Sequence, residues 1–263
     1  MDLINPSPSL PLPKTMWLVL RSRAFGNDLS LVAPDELNAP SASGHVKAAE
    51  KALGDLGFVG LPEDDLLRAR CSYSDFTDAL RSAVLTPGDE GPSTLRAALE
   101  WLMKQSPIQL ISSTNFESLD LERVFQNPAR WNGFTFWAHE LGFAEYAWAV
   151  GQSEEALVAN PVRAIGSAIK RIRQRGPQSD AIPVRQFFDR LRVALPVFPS
   201  SAANTGADPL GLAASWALIG AHNRGWLSFA MKADASRVYL ADTDAPDSRR
   251  AVSHVTLGVV EDE

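Results

Sequence analysis

Cysteine is almost absent. Cys71 stands alone among 263 residues, which excludes an internal disulfide and any Cys-rich zinc site. Long apolar runs are missing too: the longest, around Met16–Leu20 and Leu227–Met231, fall far short of the roughly 20 residues a membrane span needs. No basic, then apolar, then small-residue export pattern opens the chain. The expectation is a soluble cytoplasmic protein that does not meet a membrane. Reactive groups are equally sparse. His139-Glu140 has Phe143 where a second zinc-binding His would stand four residues on, so the His pair of a zinc-protease helix is lacking. Gly166-Ser167 lacks the flanking glycine of a nucleophile elbow, and neither a glycine-rich phosphate loop nor a dinucleotide fingerprint occurs. Glu63-Asp64-Asp65 follows Pro62 at a helix start, where acids interact well with the helix dipole. No catalytic residue, metal ligand or cofactor is expected.

Positive charge is scarce overall, with 25 Lys and Arg against 31 Asp and Glu for a net −6. That balance excludes a surface that wraps nucleic acid all round, since phosphate neutralisation needs concentrated cations. The distribution is uneven, however. Residues 163–192 hold Arg163, Lys170, Arg171, Arg173, Arg175, Arg185, Arg190 and Arg192 against Asp180 and Asp189 alone, a local +6 on a body of −12. Such a strip suits a phosphate backbone or an acidic partner chain.

What the chain does have is a recurring junction. Leu56-Gly57-Phe58-Val59, Leu141-Gly142-Phe143-Ala144 and Arg224-Gly225-Trp226-Leu227 each end a helical pattern in a glycine followed by an aromatic, with the glycines 85 and 83 residues apart. A glycine just past a helix supplies a left-handed conformation, and the aromatic then turns back onto the core as a strand begins. A recognition helix runs into the wing of a winged-helix domain in this way, so the near-constant spacing points to an internal repeat.

The coarse pattern agrees. Helices are expected at Lys14–Phe25, Ala33–Leu37 and from a Ser43 cap to Leu56, then from Pro62 to Cys71 and at Ser74–Leu85, Ser93–Lys104 and Ser118–Phe125. Asn127-Pro128 and Asn160-Pro161 open two more, the second carrying Val162, Ile165, Ile169 and Ile172 on one side and the cations on the others. Further helices are expected at Ile182–Leu195 and from Asp208-Pro209 to His222. Tyr146–Val150 and Ala156–Val158 read as one hairpin, Trp226–Met231 and Arg237–Leu240 as another turning at Ala233-Asp234-Ala235, and Val252–Val260 as a last strand. The fold expected is mainly α with short β-hairpins, an α+β protein of tandem winged-helix modules joined by a helical middle region. Its expected boundaries are 1–62, 63–176 and 177–263.

As sequence readers the three recognition helices are poor. Base edges are read by Arg, Lys, Asn or Gln, whereas the third helix offers only His222, the second Arg130, Asn132 and His139 among aromatics, and the first His45, Lys47 and Lys51. Non-specific phosphate contact by Arg163, Lys170, Arg171, Arg173 and Arg175 is therefore expected in place of sequence readout. Trp131, Trp137 and Trp148 suit either a module core or anchors for a protein partner.

Leu3-Ile4-Asn5, Phe136-Trp137-Ala138-His139-Glu140-Leu141-Gly142-Phe143, Asn160-Pro161-Val162-Arg163-Ala164-Ile165, Phe187 to Leu195-Pro196-Val197, Asp234-Ala235-Ser236-Arg237 and Arg249-Arg250-Ala251-Val252-Ser253-His254 stand out as blocks along the chain. In their order they resemble the DpdG family. The resemblance implies an accessory protein of bacterial systems that mark DNA with 7-deazaguanine and restrict unmarked DNA, with motor and nuclease activities in other subunits. It carries no catalytic residues onto this chain. The function expected is a non-catalytic winged-helix subunit of an anti-phage defence complex, docking on a larger ATPase or nuclease subunit and touching duplex DNA through its backbone. A protein-only scaffold, like the small winged-helix subunits of chromosome-organising ATPases, and a winged-helix transcriptional regulator are the alternatives.

Overall fold

The computed structural model describes residues 2–5, 9–24, 42–58, 72–86, 94–112, 125, 128–147, 156–175, 181–199, 210–242, 244–245 and 248–260. Among these the protein is mostly helical, with eight helices and small antiparallel sheets. No helix among them is long and apolar enough to cross a membrane. The helices expected at 33–37 and 62–71, the linker at 176–180 and, apart from Phe125, the helix at 118–125 lie outside the described residues. The chain divides into two compact units, Met1–Ala98 with Ser113–Leu141 and Leu99–Ser112 with Gly142–Glu263.

The first unit contains α1 (Pro13–Ala24), α2 (Ser43–Asp55), α3 (Tyr73–Leu85), the start of α4 (Thr94–Leu102) and α5 (Pro128–Glu140). Pro13 opens α1 where a missing N–H costs nothing. Ser43 is not the cap of α2 but its first residue, following Ala42, which makes no side-chain cap. The better cap is Ser72: its Oγ accepts from Asp75 N at 3.1 Å while Asp75 Oδ2 accepts from Ser72 N at 3.0 Å. This reciprocal box starts α3 at Tyr73, one residue before the expected Ser74. Trp17, Tyr73, Phe76 and Phe58 stack in sequence around α1 and α3, and a second cluster joins Phe125, Trp131 and Phe134. Arg81, 4% exposed, reaches from α3 to donate its Nε–H to the Leu141 carbonyl at 2.7 Å. It thereby satisfies a carbonyl left open at the end of α5.

The second unit contains α6 (Val162–Arg175), α7 (Val184–Ala194) and α8 (Leu212–Asn223), with α6 packed on both of the others. Its strands are β1 (Ala144–Ala147), β2 (Ala156–Ala159), β3 (Ile182–Pro183), β4 (Leu227–Ala230), β5 (Val238–Ala241), β6 (Arg249–Val252) and β7 (His254–Leu257). β1 pairs with β2, as expected, and Ile111 bridges to Leu157 on the free side of β2. β7 lies between β3 and β4 in the order β3-β7-β4.

These two sheets share one register. Measured from its glycine, each first hairpin strand begins two residues on, at Ala144 after Gly142 and at Leu227 after Gly225. The aromatic between accepts a hydrogen bond from the residue just past the returning strand: Phe143 O from Asn160 N at 3.0 Å, Trp226 O from Gly258 N at 2.8 Å. Two residues before the end of each returning strand, Leu157 pairs with Ile111 and Val255 with Ile182. Ile111 and Ile182 are thus equivalent positions.

All three junction glycines have positive φ, +78° at Gly57, +75° at Gly142 and +73° at Gly225. At two of them the helix-ending bonds are complete. Phe58 N donates to Leu53 O and Gly57 N to Gly54 O, while Trp226 N donates to Ala221 O and Gly225 N to His222 O, the Schellman pattern that satisfies open carbonyls.

The hairpin expected after Gly225 is corrected. β4 pairs with β7 and β5 with β6, both antiparallel, so β4 and β5 run in succession along one returning strand broken at Ser253. Residues 231–237, including the expected turn at Ala233-Asp234-Ala235, are an excursion on the first strand, and the hairpin turns instead between Asp242 and Ser248, where Asp242 N donates to Ser248 O. Ser253, 1% exposed, pins the excursion by accepting from Lys232 N at 2.8 Å and donating to Ala230 O at 3.1 Å. Ile182-Pro183, expected as helix, is β3; Pro suits a two-residue edge strand whose outer N–H has no ladder to join.

Candidate nucleic-acid interface

The site is assembled on α6. At 100° per residue, Val162, Ala164, Ile165, Ala168, Ile169 and Ile172 fall on a buried arc. Arg163, Ser167, Lys170, Arg171, Arg173 and Gln174 fill the remaining, partly exposed face. Gly166 sits at the edge of the buried arc for a steric reason: a Cβ there would lie 2.7 Å from the Trp226 ring. Glycine inside a helix costs about 1 kcal/mol relative to alanine, and the ring of the junction aromatic occupies the space so made.

Behind that ring the returning strand ends. A Cβ on Gly258 would lie 1.9 Å from the Gly225 carbonyl oxygen, so only glycine lets the chain pass there. Two residues later Val260 reaches α6. With Lys170, Arg173 and Gln174 it lines a hollow of about 300 Å³. The Nε of Arg173 is itself buried and has no hydrogen-bond partner among the described residues.

Of the five cations expected to meet phosphate, Lys170 and Arg173 therefore converge on one hollow. Arg171 lies on the opposite edge of the exposed face. Arg163, a turn and more away, stands 3.9 Å from Glu145 on β1 with both side chains about 40% exposed, a loose pair worth little. The side chain of Arg175, the last residue of α6, lies outside the described residues. Gln174 and Val260 were not singled out in the sequence. Gln174 was findable, since it follows Lys170 by four residues on the same helical face; Val260 was not, because its approach depends on the tertiary path through Gly258.

The aromatic positions resolve differently. Trp131 is 3% exposed and Trp137 is fully buried, so both are core residues of the first unit; Trp148 lies outside the described residues. Among reader candidates, Asn132 is exposed on α5. His45 holds the Leu10 carbonyl at 3.1 Å. His222 stands 3.2 Å from the Leu227 carbonyl and packs on Phe229. His139 and Glu140 approach to 3.8 Å, and Tyr73 donates to Glu140. Among the described residues no group of three His, Cys, Asp or Glu is placed to hold a metal ion.

A family model described as DpdG-like matches residues 1–235. The chain belongs to that family. No curated protein and no solved structure is a significant match.

Proposed function

We propose that this DpdG-like chain is a non-catalytic, tandem winged-helix subunit of a bacterial anti-phage complex, gripping duplex DNA non-specifically and docking on a larger ATPase or nuclease. Family membership associates it with the Dpd 7-deazaguanine DNA-modification system, which implies a component of a multi-protein assembly acting on DNA.

The repeated sheet register carries the reading. Helix, short strand, helix, helix, strand, strand, with the first strand beside the last, is winged-helix order. The run α6, β3, α7, α8, β4, β7 follows it. The run α4, Ile111, α5, β1, β2 shares the register and matches that order except that one helix, not two, stands between Ile111 and β1 among the described residues. In this reading α6 opens the third module and does not close the second, because it packs on α7 and α8. The proposed DNA contacts are Lys170, Arg171, Arg173 and Arg175, with Arg163 subordinate because of its pairing to Glu145.

The recognition helix α8 serves the partner. Its outward residues include Leu212, 43% exposed, and the partly exposed Trp216 and Ile219, spaced to form an apolar face, with Asn223 at its last position as the one exposed amide and no Arg, Lys or Gln along it. No catalytic step is assigned, since no spacing of reactive residues in the sequence supports one.

Salt tests this reading. Duplexes of unrelated sequence should bind with closely similar affinity, and raising salt from 50 to 200 mM should weaken binding about 10²–10³-fold for four to six neutralised phosphates. Absence of duplex binding at low salt would remove the DNA-contact half and leave the docking role alone.

A further inference from the structure

The cations of the basic segment do not all lie on α6. Arg185, Arg190 and Arg192 belong to α7, and the contacts proposed above leave them out. They differ from their α6 counterparts in one respect. Arg163, Lys170 and Arg171 each already engage a neighbour, whereas Arg185, Arg190 and Arg192 make no hydrogen bond, ion pair or ring contact with another described residue.

The helical period sets the face they share. Val184, Phe187, Phe188 and Leu191 are buried, which turns Arg185, Gln186, Asp189, Arg192 and Val193 outward, all exposed, with Arg190 partly exposed at the edge. Arg185 and Arg192 are two turns apart on the same side, separated by about 10 Å at 1.5 Å per residue. Charge along one strand of a duplex recurs every 3.4 Å or so of helix axis, so the two guanidinium groups reach separate phosphates. Asp189 is the only carboxylate on α7. It follows Arg185 by one turn and precedes Arg192 by one turn, yet it pairs with neither among the described residues. Both arginines are left with their charge uncompensated.

The start of α7 adds to this. Pro183 at the N-cap provides no side-chain cap, and the first turn holds Arg185 and no acid. A cation there opposes the positive end of the helix dipole, a placement that is unfavourable in the free chain and that a bound anion relieves. Composition then decides the kind of anion. Protein interfaces centre on buried aromatic anchors, and α7 turns none outward: its one exposed apolar residue is Val193, near the end of the helix. Nucleic-acid interfaces are more polar and more positive, and the planar fork of Arg matches phosphate oxygens.

We propose that the outward face of α7 is a second phosphate-backbone contact, in which Arg185 and Arg192 each hold one phosphodiester group of a duplex strand and Arg190 flanks them. The assignment rests on the reading above that the chain grips duplex DNA. It adds a contact outside α6 whose cations are unpaired in the free chain.

Four full-length proteins test it: wild type, the double variant Arg185→Gln with Arg192→Gln, Asp189→Asn, and Glu50→Gln on the exposed face of α2 as a comparator for charge alone. The double variant should lower duplex affinity about 30-fold near 0.1 M salt and reduce the log–log salt slope by about 1.8, the loss of two phosphate contacts. Its Tm should stay within about 2 °C of wild type, since both side chains are exposed and unpartnered. Asp189→Asn should raise affinity several-fold, because it removes the carboxylate that stands between the two contacts, while Glu50→Gln, the same change of charge elsewhere, should alter it by less than about twofold. An unchanged salt slope in the double variant, with wild type still binding DNA in a salt-dependent way, would overturn the α7 contact and leave the proposed function standing. No duplex binding by wild type would remove the DNA half of that function and this contact with it. Loss of a copurifying subunit from the double variant, with its salt slope for DNA unchanged, would overturn the nucleic-acid assignment in favour of an acidic partner chain.

Discussion

Gly258→Ala should lower the melting temperature by roughly 6–12 °C. The Cβ it adds would stand 1.9 Å from the Gly225 carbonyl oxygen and 3.1 Å from the Gly225 carbonyl carbon, both of them backbone atoms that no rotamer change can move aside. The strand would have to shift, losing the Gly258 N to Trp226 O bond of 2.8 Å that sets the register of β4 on β7. Overpacking costs typically 1–3 kcal/mol. The upper end is expected here, and about 3 kcal/mol corresponds to the stated shift at roughly 2–4 °C per kcal/mol for a chain of this size. Gly225→Ala provides the contrast. Its φ of +73° strains any side chain, but nothing lies within 4 Å of the added carbon, so about 1 kcal/mol is expected. Equal tolerance of both substitutions would mean that the returning strand is not held where the shared register requires.

Reversing Lys170, Arg171, Arg173 and Arg175 together to Glu should weaken duplex binding roughly 10³-fold near 0.1 M salt, about 4 kcal/mol. It should also flatten the salt slope by about 3.6, since each phosphate contact contributes about 0.9. The fold should survive, because the apolar arc of Val162, Ile165, Ile169 and Ile172 that packs α6 is untouched. A far-ultraviolet circular dichroism spectrum matching wild type would establish that. Arg163→Gln alone should change binding less than about threefold, because Arg163 stands apart from the Lys170, Arg173 and Gln174 cluster with the Glu145 carboxylate as its neighbour at 3.9 Å. An unaltered salt slope in the quadruple variant would move the DNA surface off α6.

What could be read from sequence, and what could not, separates along physical lines. The junction glycines were legible because a left-handed backbone at a helix end selects one residue type, and all three have positive φ. The apolar period of α6 was legible for the same kind of reason: its four β-branched residues recur at helical spacing and are all buried. Non-local pairing was not. Ile182-Pro183 reads as the first turn of an amphipathic helix until Val255 is known to lie beside Ile182. Arg249 and Arg250 carry no strand signal, yet they pair with Ala241 and Leu240, leaving Ala233-Asp234-Ala235 as the nearest hairpin turn that local composition could offer. Of the site itself, the cations were visible as a charge cluster. The hollow was not, because its fourth wall, Val260, arrives through the glycine-on-glycine passage at Gly258 and Gly225.

The most direct measurement is the mass of the assembly that the tagged full-length chain brings down from its own cell, with and without nuclease treatment. The account predicts a species far heavier than the chain, containing a larger ATPase or nuclease subunit that stays bound after the DNA is digested, with DNA recovered only from the untreated sample. The isolated chain running as a free monomer in both samples, or cleaving DNA with no other subunit present, would contradict it.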